Sequence, residues 1–90
     1  MDENTRYWTL DGAERAVIGE LAAPRLFAVC ELERDDMGEL LSGTVQAWGM
    51  EFPDRVLWAS PSGTEQGVSE SVDAAVRRWS ATAEVGLVWP

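Results

Sequence analysis

The chain has 90 residues, 46% of them hydrophobic, with seven arginines against sixteen carboxylates, no lysine or histidine, and a formal net charge of −9. That length allows one domain, residues 1–90, and no second core, and the apolar share excludes wholesale disorder. The charge excludes an electrostatic grip on a phosphate backbone or an anionic membrane, since both need clustered positive charge.

The opening residues MDENTR are acidic and polar, where a secretory leader would be basic and then apolar. No apolar run approaches the roughly 20 residues that span a bilayer. The one cysteine, Cys30, has no partner for an internal disulfide. These features together lead us to expect a soluble, cytoplasmic protein.

Residues 1–6 read as a loose tail. Tyr7 to Leu10 reads as a short strand, and Asp11-Gly12 as a turn. Arg15 to Leu21 is a second extended run, stopped by Ala22, Ala23 and Pro24. A third runs from Arg25 to Glu33, opening apolar at Leu26-Phe27-Ala28-Val29 and ending in alternation. Arg34 to Gly38 is a charged loop, and Glu39 to Ser42 fits either a helical turn or the lead-in to the next strand.

The segment Thr44 to Ser60 then predicts a hairpin turning at Phe52-Pro53-Asp54. A three-residue loop there would set Glu51 opposite Arg55, Met50 opposite Val56 and Trp48 opposite Trp58. That arrangement gathers Trp48, Met50, Val56 and Trp58 on one bulky face. A slip of one residue would scatter this apolar set over both faces, which favours the stated register. A turn at Ser60-Pro61-Ser62-Gly63 leads to a short strand within Thr64 to Val68.

A helix over about 69–82 follows, capped by Ser69 or Ser71. Its apolar stripe is Val68, Val72, Val76 and Trp79. Val85 to Trp89 alternates as a closing strand. The order predicts an α+β fold: a small curved antiparallel sheet of five to six strands, one amphipathic helix on one face, and a C-terminal strand. One helix covers one face only, so the other must be closed by curvature, by the tail or by another subunit.

The residue types disfavour catalysis. Without histidine, the commonest general base and transition-metal ligand is missing, and a serine or cysteine nucleophile has no imidazole to activate it. Cys30 lies in an apolar run and reads as a packed, inert cysteine. Glu33, Asp35, Asp36 and Glu39 cluster around Gly38 without the alternating spacing of a helix-loop-helix calcium site. A magnesium- or calcium-assisted carboxylate enzyme on Asp35, Asp36 and Glu39 is thus the weakest of the readings, and we expect no catalytic residue, cofactor or metal.

Five tryptophans remain. Trp79 belongs to the helix stripe and Trp48 and Trp58 to the hairpin, so Trp8 and Trp89, near the chain ends, are the candidates for exposure. Tryptophan and arginine carry much of the energy of protein interfaces. The leading expectation is a small, acidic, non-catalytic protein that binds another protein with a basic surface. An inhibitor or an antitoxin- or immunity-like neutraliser is its concrete form, with Trp8, Glu51, Arg55 and Trp89 as contact residues. No direct contact with nucleic acid or membrane is expected, and a homodimer is consistent with an uncovered sheet face. The alternatives are a homodimeric binder of a small apolar or aromatic ligand, using Trp48, Met50 and Trp58, and an acidic mimic of nucleic acid that occupies a basic groove.

Overall fold

A computed structural model describes residues 9–18 and 23–90. The expected tail, Tyr7, Trp8 and residues 19–22, which include the end of the second extended run, lie outside the described residues. The elements are α1 (Gly12–Ile18), β1 (Arg25–Arg34), β2 (Leu40–Glu51), β3 (Val56–Ala59), β4 (Gln66–Ser69), α2 (Val72–Ser80) and β5 (Val85–Val88). The strands form one antiparallel sheet in the order β4-β3-β2-β1-β5, an α+β architecture with five strands and two helices.

The second helix of the fold, α1, corrects the reading of Asp11-Gly12 as a turn and of Arg15 onward as extended. The Asp11 side chain accepts the Glu14 N–H at 2.8 Å, and the Glu14 carboxylate accepts the Asp11 N–H at 3.2 Å. This reciprocal capping box starts a helix wherever strong helix formers follow, as Ala13, Glu14, Arg15 and Ala16 do here. No residue of α1 is buried, and Val17 is 87% exposed.

The β1–β2 hairpin is the backbone of the sheet. Its register passes from Val29↔Ala47 to Cys30↔Val45, and from Glu33↔Ser42 to Arg34↔Leu40, so Gln46 and Leu41 are the extra residues of two bulges. Glu39 to Ser42 resolves into the start of a strand. The Asp35 carboxylate accepts the N–H groups of Met37 and Glu39, both at 2.9 Å, and holds the connecting loop. That loop passes through Gly38 at φ 84°, in the left-handed region open to glycine.

The hairpin of β2 and β3 departs from the expected register by one residue. Glu51 faces Val56, Met50 faces Leu57, Gly49 faces Trp58 and Trp48 faces Ala59. The loop has four residues, with the Phe52 N–H donating to the Arg55 carbonyl at 2.8 Å. Trp48 and Trp58 therefore stand on opposite faces and form no cross-strand pair. The slip costs nothing here because both faces of the sheet are apolar, so hydrophobic pattern alone does not select a register. What selects it is volume. A Cβ at Gly49 would overlap the Phe27 ring, and one at Gly67 would lie 2.6 Å from the Trp58 indole. Each large ring of this row lies on a glycine of the adjacent strand.

Helix α2 starts at Ser71, whose hydroxyl accepts the Ala74 N–H at 3.0 Å. Its buried stripe is Val72 and Ala75, with Val76 and Trp79 packed against the core. Val68, expected at the head of this stripe, belongs to β4 and points to the other face. The core consists of Phe27, Val29, Ala47, Val56, Val72 and Ala75, with Trp58 meeting Trp79 edge-on at 5.0 Å between ring centroids. All of it lies between the sheet and α2.

Candidate protein-interaction surface

The second sheet face is as apolar as the first and, among the described residues, carries no helix. Strand pairing sets its side chains in rows. Val68, Leu57, Met50 and Leu26 form one row across β4, β3, β2 and β1. Gln66, Ala59, Trp48, Ala28 and Val88 form the next, across all five strands. Alanines on both sides of Trp48 leave its indole raised above its neighbours. Neither row contains a charged residue. Leu26 is 48% exposed, Trp48 42%, Met50 40% and Val68 68%. A shallow groove of about 340 Å³ runs along Leu26, Trp48 and Met50, lined also by Leu57, Ala59 and Gln66. Exposed large apolar side chains are unremarkable singly; in a contiguous patch they mark a surface that another molecule covers.

The expected contact residues lie elsewhere. Trp8 is outside the described residues. Trp89 turns toward the helix side, its ring 5.3 Å from that of Phe27, with the Arg25 guanidinium 4.2 Å above it. Glu51 pairs with Arg25 at 3.6 Å, so the expected opposition of Glu51 and Arg55 does not form. Arg55 pairs with its neighbour Asp54 at 3.6 Å and lies 5.7 Å from the Phe52 ring. The fold thus joins Glu51, Arg25 and Trp89 into one cluster at the end of the sheet and leaves Arg55 in the adjoining loop. Trp48, read from the sequence as a core residue, is the exposed indole of the hairpin. The signal that pointed to it was present in the pattern: Leu57 and Ala59, which the expected register left off the bulky face, are as apolar as Val56 and Trp58.

Among the described residues, no group of three or more Cys, Asp or Glu side chains is arranged to hold a metal ion, and the Asp35 carboxylate is engaged in its loop. No described helix is long and apolar enough to cross a membrane. Cys30 is half-buried on the open face, opposite Val45 and Gly86. Compared with family models, curated proteins and solved structures, the chain matches none.

Proposed function

We propose that this chain is a small acidic, non-catalytic protein that works by binding another protein, with the uncovered sheet face as the centre of its contact surface. The observation that carries the reading is the pair of charge-free rows around Trp48 and Met50, exposed in a chain that is otherwise rich in carboxylates. An apolar centre within a charged surround is the usual anatomy of a specific interface. At a net charge of −9 the favoured partner has a basic rim around an apolar patch, because complementary potentials speed encounter and reject wrong partners. A neutraliser of a basic protein is the concrete form. Glu51, Arg55 and Trp89 sit at the same end of the sheet as the Leu26 row and enter the proposal as its margin.

The test is capture from the source lysate by tagged wild-type protein and by a Trp48→Ser/Met50→Ser variant, with elution by a salt step. A basic protein that wild type retains at low salt and the variant does not supports the reading. Equal capture by both removes the open face from the site. A second reading, a binder of a small aromatic ligand, draws on the groove beside Trp48, whose volume lies at the low end of the range for ligand sites. Quenching of tryptophan fluorescence by such compounds, abolished by Trp48→Phe, would favour it over the first.

A further inference from the structure

A different part of β2 carries an inference of its own. The strand has twelve residues, yet β3 pairs only with Trp48 to Glu51. Along Leu40 to Ala47 the outer edge of β2 has no neighbouring strand among the described residues. The opposite edge of the same hairpin is closed: past β5, the Leu32 N–H donates to the Glu84 carbonyl at 2.9 Å, and Arg34 pairs with the Glu84 carboxylate at 2.9 Å. Exposed strand edges are ordinarily protected by lysine, proline, inward charges or bulges. Leu40-Leu41-Ser42-Gly43-Thr44-Val45-Gln46-Ala47 has no lysine, proline or charge, and its bulges at Leu41 and Gln46 leave Ser42 to Val45 between them as regular strand.

We infer that this edge pairs with the same edge of a second copy, antiparallel about a two-fold axis near Gly43, joining two sheets into one of ten strands. Three observations favour a second copy over a foreign strand. An antiparallel edge is self-complementary about a two-fold, so one surface serves both sides. Two copies at −9 each repel, so self-association needs a stretch without charge, and residues 40–50 form such a stretch. The carboxylates nearest the edge are Glu39, just before Leu40, which the two-fold would set opposite the uncharged Ala47 of the second copy, and Glu31 and Glu33 on β1, held by Gln46 and Ser42 at 3.2 and 3.1 Å. Across the joined sheet, β1 and its counterpart would be about 14 Å apart, three strand spacings, beyond the Debye length at physiological salt. The shape also fits, since each partner's β2 would lie in line with the other's short β3. With the axis perpendicular to the sheet, both open faces lie on one side and both α2 helices on the other. The inference is independent of the hetero-partner reading, which it would leave with a face twice as wide.

The test combines sedimentation of the wild-type chain with hydrogen exchange over a wide concentration range. The expected result is a dimer whose formation slows exchange within residues 40–47 at the same midpoint and tightens with added salt. Oxidation of a Gly43→Cys/Cys30→Ala variant should give a disulfide-linked dimer, while Thr82→Cys/Cys30→Ala should form no disulfide link between its copies. A wild-type chain that is monomeric throughout overturns the inference. So does a dimer whose residues 40–47 exchange at the monomer rate, which would put the contact on the open face, and so does protection that appears only when another protein is added.

Discussion

The two faces of this sheet have similar hydrophobicity and different relief. On the helix side, Gly67, Trp58, Gly49 and Phe27 alternate small and large in one row, so each ring lies on a glycine and the row presents a level floor to α2. On the other side, Leu26, Met50, Leu57 and Val68 are all large, and Trp48 rises between two alanines. The first pattern is what a covered face needs, since interiors are packed to crystal-like density and leave no room for a ring without a matching hollow. The second is a row of projections with nothing above it among the described residues. Hydrophobicity therefore distinguishes neither face; the placement of glycine does. Coverage is limited as well, because a nine-residue helix is only about 13 Å long.

The largest effect expected on the covered face comes from Phe27→Ala. Removing a fully buried ring should cost about 3–5 kcal/mol, enough to unfold much of the population of a domain this small; urea titration followed by near-UV circular dichroism measures it. A loss below about 1 kcal/mol would mean that the Phe27 row is not the core. Next comes Gly49→Ala, which forces the added methyl against the Phe27 ring. About 1–3 kcal/mol is expected, and the double variant Phe27→Leu/Gly49→Ala should recover part of it, because the two positions share one volume. The smallest effect belongs to the open face. Val68→Thr keeps the β-branched shape and should change the stability of the isolated chain by under about 0.5 kcal/mol. A cost several times larger would show that this face is already covered in solution, and its dependence on protein concentration would tell self-association from an internal cover.

Much of the fold was legible in the residues. The strand from Arg25, the hairpin turning at Pro53, the turn at Ser60, the serine-capped helix and the closing strand at Val85 each have a local signal: alternation, turn chemistry or a cap. The errors share a physical origin in the same kind of signal read without its competitor. Asp11-Gly12 is turn chemistry, and it is also the first half of a capping box whose second half is Glu14. Val68 has the spacing of the α2 stripe, but spacing cannot tell a helical residue from one that ends the preceding strand. The hairpin register was inferred from keeping apolar residues together, a rule that holds only when one face is polar.

The candidate surface was less legible for the same reason. Exposure is a property of what fails to cover a residue, and no local pattern encodes that. The sequence by itself determined the charge, the lack of imidazole chemistry, the α+β order and the presence of more apolar strand surface than one short helix can bury. Only the tertiary structure decided which face α2 covers, because Gly49 and Gly67 make room for rings on that side alone. It also decided that Trp48 stands in the open while Trp89 folds back over Phe27, and that β2 outruns β3, so that Leu40 to Ala47 have no neighbouring strand on that side among the described residues. These outcomes depend on contacts between residues far apart in the chain, where volume and register compete, and the winner is set by the fit of whole rows of side chains.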